Sequence, residues 1–409
     1  MKRFIPFLMV FAISCKKDVV LSDVPKLVIN QLDTNINQSD TSFNGYKVGV
    51  IDKNNEAFYW KNCGVLWDVV YSKINYPTFL PQLMVGDFNN DGYIDIFNPG
   101  TGSYDGTPVD KFTWLIWNKS IKKFENKNLF VDNSFSYFGG NQRKTVSIDL
   151  NKDGYTDMVI FDHGDDVILT TPRQPIRIIL SDGKGYYNIK ELNVTKQYDF
   201  FHGGDVTDLN NDGYPDLVIC APNNIYICWG NNSPNYFDFA EEHPEMGGST
   251  FNLSIGDVNK DGYNDLIIGG INVVKIYYNN HNKGFVDKDI INMKSNVLMN
   301  DFIVTENGDI LSTGSTNYDD YFFAMIKKTN DGFKIDSSQF VYTINKNNRH
   351  SSGSANSWKP WVIYHDYNND GVKDVSYIDP HDYNKTLQNK TVFIKKGNEF
   401  IEENIKINF

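Results

Sequence analysis

The stretch "DLNKDGYTD", Asp149 to Asp157, decides the fold, because the chain repeats it. Near-copies read "DFNNDGYID" from Asp87, "DLNNDGYPD" from Asp208, "DVNKDGYND" from Asp257 and "DYNNDGVKD" from Asp366. Each has Asp at position one, Asn at three, Asp at five, Gly at six and Asp at nine. Side-chain oxygens at alternate positions, followed by a glycine able to take φ > 0, curl a backbone around a hard cation. Three carboxylates this close repel one another without a counter-ion. The number of oxygens and the flexible cage suit Ca²⁺ better than Mg²⁺, which keeps most of its waters.

The candidate ligands are therefore Asp87, Asn89, Asp91, the Tyr93 carbonyl and Asp95 in the first copy. They are Asp149, Asn151, Asp153, the Tyr155 carbonyl and Asp157 in the second, and Asp208, Asn210, Asp212, the Tyr214 carbonyl and Asp216 in the third. The fourth offers Asp257, Asn259, Asp261, the Tyr263 carbonyl and Asp265. The fifth offers Asp366, Asn368, Asp370, the Val372 carbonyl and Asp374. An EF-hand needs a Glu at position twelve and flanking helices. Position twelve here is Asn98, Ile160, Ile219, Ile268 or Tyr377, and a short β-branched apolar run follows each copy. These runs read as buried strands, so each loop is a strand-to-strand turn.

The loops start at 87, 149, 208, 257 and 366, with gaps of 62, 59, 49 and 109. The last gap holds two units, and "DFIVTENGD" from Asp301 to Asp309 fits as a decayed copy. Ile303 there replaces an oxygen and Glu306 the glycine, so no Ca²⁺ is expected at that copy. Downstream of each loop comes an apolar strand, a polar turn and an aromatic: Phe124, Tyr187, Phe237, Phe285, Phe333 and Phe400. Six units of about 55 residues with four strands each predict an all-β chain folded as a β-propeller of four-stranded blades. The Ca²⁺ loops then join the first and second strands of five blades. "YKVGVIDKNNEAF" (46–58) with "GVLWDVVYS" (64–72) supplies a seventh blade that closes the ring; six blades is the alternative.

The units resemble the FG-GAP/VCBS repeats of integrin α-chain-like propellers over nearly everything after residue 45. That resemblance implies an extracellular or periplasmic propeller used for recognition, in a superfamily that also includes polysaccharide lyases. Fold alone does not choose between them.

The front end reads as a targeting segment. Lys2 and Arg3 precede the apolar run Phe4 to Ile13, too short to span a bilayer, and the run ends in "AISCKKD". This looks like a bacterial lipoprotein signal over residues 1–14, with Cys15 as the lipidated residue; Ala12 departs from the usual Leu. Residues 15–42 form a polar tether and 43–409 the propeller. A lipid-anchored, monomeric outer-membrane protein is expected, periplasmic or surface-exposed. The net charge of −12 argues against nucleic acid, and five bound Ca²⁺ would nearly cancel it. Cys220 and Cys228 flank a turn and read as two buried free thiols.

The face opposite the loops gathers the remaining candidates. Six residues before the second and third loops stand Arg143 and His202. Just past second strands come Asp162, His163 and Asp165 in "FDHGDD", and Asp379, His381 and Asp382 in "IDPHD"; "SWKPW" contributes Trp358 and Trp361. A binding site for a glycan or an extracellular or periplasmic protein is expected there. If the chain is an enzyme, His163, His202 and Arg143 are its candidates, a histidine abstracting a proton while Arg143 neutralises a carboxylate.

Overall fold

A computed structural model describes residues 42–43, 46–47, 84–86, 88–91, 95–98, 112–118, 120, 123–131, 142–162, 175–196, 199–293, 297–305, 307–316, 320–336, 362–365, 374–377, 389–396 and 399–406. Among them are six four-stranded antiparallel sheets, each pairing its strands in chain order. Blade 1 runs from Met84–Gly86 to Lys123–Lys127, blade 2 from Gln142–Ile148 to Tyr187–Leu192, and blade 3 from Gly203–Thr207 to Glu241–His243. Blade 4 runs from Thr250–Gly256 to Phe285–Asn292, blade 5 from Val297–Val304 to Gly332–Asp336, and blade 6 from Val362–His365 to Glu399–Lys406. The first strands of successive blades lie against one another, from blade 1 through to blade 6. This is the arrangement of a propeller, with the first strand of each blade innermost. The proposed seventh blade falls outside the described residues, apart from a short pairing of Ser42–Phe43 with Tyr46–Lys47. The leader, Cys15 and the tether fall outside them too.

The apolar runs after each loop are second strands, and their side chains serve two interfaces in alternation. In Asp157–Asp162, Met158 and Ile160 pack with Phe88, Phe97 and Trp114 of blade 1. Val159 and Phe161, on the other face, pack with Val206, Leu217 and Ile219 of blade 3. Asp216–Ala221 repeats the pattern: Leu217 and Ile219 face blade 2, Val218 and Cys220 face blade 4. A strand buried on both faces reads as a continuous apolar run because neither face meets water. The same alternation settles the thiols. Cys220 pairs with Ile225 and Cys228 with Leu217, and the two buried sulfurs enter different cores, not bonded to each other.

The aromatic landmark opens or lies within the fourth strand of every blade but one. Phe237 of blade 3 instead forms an isolated bridge with Gly230 ahead of the short strand Glu241–His243.

Candidate functional site

The turns at 149–157, 208–216 and 257–265 join first to second strands, as the sequence predicts. Position six is left-handed, with φ of 90°, 92° and 92° at Gly154, Gly213 and Gly262. Position four is left-handed as well, at Lys152 (61°), Asn211 (59°) and Lys260 (66°), although none of these is glycine. Two left-handed residues in one turn coil it tightly enough for backbone N–H groups to meet the acidic side chains. Gly154 donates to Asp149 Oδ2 at 3.0 Å, Gly213 to Asp208 Oδ2 at 2.8 Å and Gly262 to Asp257 Oδ2 at 3.0 Å. The position-three amide accepts from the position-five N–H, as at Asn151 Oδ1 from Asp153 (3.0 Å).

Position nine has a further role that spacing alone does not reveal. Asp157 accepts from Leu150 N–H with Oδ2 (2.8 Å) and from Ser181 N–H with Oδ1 (2.7 Å). Asp216 does the same with Leu209 and Gly230, both at 2.7 Å, and Asp265 with Val258 (3.1 Å) and Asn279 (2.9 Å). Each carboxylate thus clamps its own loop to the end of the third strand. Asp95 of the first loop likewise accepts from Phe88 N–H at 3.1 Å. All four are buried. Burial pushes Asp157, Asp216 and Asp265 up to about 7 against these bonds, and neighbouring loop carboxylates add to the rise. Burial also raises Asp149 and Asp208.

The donor set fits a hard cation. Asp149 Oδ1 is buried with no hydrogen-bond partner, so a position-one oxygen is left for a ligand. Carboxylate, amide and carbonyl oxygens are what Ca²⁺ takes, and a carboxylate oxygen already holding one N–H keeps a second lone pair. Among the described residues no ready-made group of three or more His, Cys, Asp or Glu side chains converges on a metal position. Asn151 Nδ2 instead donates to Asp153 Oδ2 at 3.0 Å, as Asn259 does to Asp261 at 2.9 Å. A cation would have to displace these internal bonds. Asp87 and Tyr93 of the first loop, and 366–373 of the fifth, lie outside the described residues; Asp374 opens the second strand of blade 6.

The decayed copy stands elsewhere than the spacing implies. Asp301 is not the start of a turn: it lies inside the first strand of blade 5, 4% exposed. The turn is Thr305 to Asp309, closed by the Thr305 N–H to the Asp309 carbonyl at 2.8 Å and the Gly308 N–H to the Thr305 carbonyl at 2.9 Å. Gly308, at φ 83°, supplies the left-handed residue, and Ile303 is a buried strand residue. This hairpin is shorter than those of blades 2 to 4, and the register fails because Asp301 belongs to a different feature, on the inner strand of blade 5.

That feature is a buried polar cluster. Lys144, Gly203, Asn252 and Asp301 occupy one register position in blades 2 to 5, opposite Phe161, Cys220, Gly269 and Thr313. Lys144, 2% exposed, passes over Gly203 and donates to the Leu253 carbonyl of blade 4 at 2.6 Å. A Cβ on Gly203 would lie 2.7 Å from Asn252 Oδ1 and 3.5 Å from Lys144 Cδ, so the missing side chain makes room for the lysine. Asp205 accepts the Ile255 N–H (3.0 Å) and Val206 N–H (2.8 Å), and Asn252 Nδ2 donates to Asp301 Oδ1 (3.3 Å). Burial lifts the Asp205 carboxyl to about 6; Lys144 opposes the rise and Asp301 adds to it. No sequence signal marked these residues beyond their being polar within apolar strands.

At the opposite rim, His202 is buried, its Nδ1–H donating to the Thr250 carbonyl at 2.7 Å and its ring stacked on Phe251, with centroids 5.0 Å apart. A carbonyl can only accept, so Nδ1 carries the proton. Arg143 lies at a bulge in the first strand of blade 2, and Phe251 at the matching bulge in blade 4. His202 holds that position in blade 3, immediately before Gly203. Asp162 is wholly buried against Arg177, whose Nη1 is 3.1 Å away, with Glu191 3.8 Å from Nη2. Arg177 was not anticipated; its place in the apolar run "IRIIL" disguises a charge that meets its partner only across the sheet. His163, Asp165, Trp358, Trp361, Asp379, His381 and Asp382 lie outside the described residues.

Residues 149–219 and 208–268 match the FG-GAP-like repeat. No curated protein matches the chain. Among solved structures, a lectin of Agrocybe aegerita that recognises non-reducing terminal N-acetylglucosamine is 16% identical, covering 80% of each chain at a TM-score of 0.49. A putative 6-phosphogluconolactonase of Bacteroides uniformis is 9% identical, covering 81% of this chain and 86% of its own, also at 0.49. The periplasmic gluconolactonase of Pseudomonas aeruginosa is 10% identical, covering 77% and 82%, at 0.45.

Proposed function

We propose that this β-propeller, whose residues 149–268 are FG-GAP-like repeats, is a calcium-stabilised binding module at a cell envelope. Its ligand, a glycan or a protein, sits at the rim opposite the metal turns. The observation that carries this is the His202–Phe251 stack, which joins the inner strands of two adjacent blades at the register position held by Arg143 in a third. A partly exposed aromatic ring on an inner strand, at the register position that a second blade fills with an arginine, is chemistry suited to a sugar face or an acidic side chain. The metal turns at the other ends of the same strands stabilise the scaffold without touching the ligand. The leader supports lipid anchorage at Cys15, and Cys15→Ser is expected to move the protein from the membrane to the soluble fraction; unchanged fractionation refutes that.

Binding to a panel of glycans and envelope proteins tests the reading, with Phe251→Ala and Arg143→Ala as the probes. Both are expected to lose binding while keeping the calcium-dependent gain in melting temperature. A ligand that both variants hold as wild type does places the site elsewhere. One observation favours a second reading: the Thr250 carbonyl fixes the orientation of the His202 ring, and an oriented histidine suits proton abstraction from an acidic polysaccharide. Unsaturated-product absorbance on uronate polymers separates catalysis from binding.

A further inference from the structure

The metal turns of blades 3 and 4 are joined by an unbroken run of hydrogen bonds through one residue, Asn279. It closes the third strand of blade 4 and is 6% exposed. Its backbone N–H donates to Asp265 Oδ1, at position nine of the blade 4 turn, at 2.9 Å. Its side-chain Nδ2 reaches the neighbouring blade and donates to the Leu209 carbonyl, at position two of the blade 3 turn, at 2.7 Å. The N–H of Leu209 in turn donates to Asp216 Oδ2, at position nine of that turn, at 2.7 Å. The position-nine carboxylates of two turns are therefore linked by three bonds and one amide side chain. Asn279 Nδ2 also donates to the Asn264 carbonyl at 3.1 Å, and Asn279 Oδ1 accepts from His281 N–H at 2.9 Å. The amide orientation is thereby fixed on both sides.

The corresponding position is Gly230 in blade 3 and Ser181 in blade 2. Glycine carries no side chain to reach back, so this link stops at blade 3. Of blades 2, 3 and 4, blade 4 alone carries an amide side chain at this position, and it reaches blade 3.

We propose that Asn279 couples these two turns, so that a divalent cation in one raises the affinity of the other. The proposal rests on the calcium reading of the turns. Holding Asp265 on a cation fixes the Asn279 backbone; the side-chain amide then holds Leu209, and Leu209 orients Asp216 for its own ion. A hydrogen-bonded chain in a buried setting transmits orientation because each member is costly to leave unpaired. Coupling between sites linked in this way is typically about 5- to 150-fold in affinity.

The experiment is a Ca²⁺ titration of the full chain followed by amide NMR at Gly213 and Gly262, the position-six glycines of the two turns. Asp261→Ala disables the blade 4 turn. It is expected to weaken Ca²⁺ at the blade 3 turn by about fivefold or more. In the Asn279→Ser background, which places there the residue blade 2 uses, Asp261→Ala is expected to change the blade 3 affinity by less than about twofold. Asn279→Ala serves as the second background. A residue that is merely structural would lower the melting temperature in EDTA and leave the coupling ratio intact. Coupling that persists in both Asn279 variants, or is absent from the wild type, overturns the proposal while leaving calcium in place. Glycine amides that do not respond to Ca²⁺ at all overturn the calcium reading itself and the coupling with it.

Discussion

Lys144→Met removes the ammonium group that blade 2 sends across blade 3, and keeps most of the stem that fills the space over Gly203. The variant loses a 2.6 Å hydrogen bond to the Leu253 carbonyl and the cation nearest the buried Asp205. Losing a buried hydrogen bond from a charged group costs about 1.5 to 3 kcal/mol, because the carbonyl is left unpaired. With an unfolding entropy of about 2.1 cal/mol/K per residue over about 360 residues, that corresponds to a fall in Tm of about 2 to 4 °C. The pH dependence makes the test specific. The folded Asp205 carboxyl lies at about 6, above its ordinary 3.8. A raised carboxyl favours the fold when protonated, so its contribution is complete below about 3.8 and is lost as pH rises through about 6. Over that window the wild type gives up about 3 kcal/mol. Without Lys144 the carboxyl rises further, so the deficit of the variant is expected to be largest at pH 7 and to shrink towards pH 5. Calorimetric melting of both proteins at pH 5 and 7 checks this. A Tm within about 1 °C of wild type at pH 7, or a deficit equal at both pH values, refutes the reasoning.

Chelation is expected to lower the melting temperature: a site of Kd ~0.1 mM at ~2 mM Ca²⁺ contributes about 1.8 kcal/mol. Asp212→Ala should remove part of that gain and Asp309→Ala, in the short blade 5 turn, none; equal losses of the gain in paired scans with and without EDTA contradict the assignment. Gly204→Ala should destabilise by about 1 to 3 kcal/mol or more, because its Cβ would lie 2.2 Å from Phe161 Cε1 and 2.4 Å from the Val218 carbonyl. Denaturant unfolding would read that cost, and a neutral result would mean that blades 2 and 3 pack less tightly there. Cys220 and Cys228 should both label with a maleimide only after unfolding, without prior reduction; a mass deficit of two hydrogens would reveal a disulfide instead.

The scaffold was legible because its information is local and repeated. A turn whose acidic and amide side chains sit at fixed spacing, followed by a strand buried on both faces, leaves the same mark at 149, 208 and 257. What joins blades was not legible. Lys144, Asp205, Asn252 and Asp301 are each an unremarkable polar residue in its own strand, and their meeting depends on how four inner strands stand in register. Asp301 was misread for the same reason: an aspartate at the right distance from "NGD" imitates a turn opener when the strand's bulge is unseen. His202 was placed at the rim by counting back along the strand, but counting could not tell that its ring lies buried on Phe251. Asp162 was placed at the rim by the same kind of counting, which could not show that it is wholly buried against Arg177, a residue in a run that looks wholly apolar.

The double duty of the second strands bears on how such a chain can change over generations. Because odd and even residues of Asp216–Ala221 serve different neighbours, losing or gaining one residue there would exchange the two sets and spoil two interfaces together. Length variation is therefore steered into the turns, and the shorter hairpin of blade 5, whose strands keep the pairing and the bulge of blades 2 and 4, is a difference of that permitted kind. A lineage of this protein can shorten one of these acidic turns more readily than it can lose a single residue from the strand that follows it.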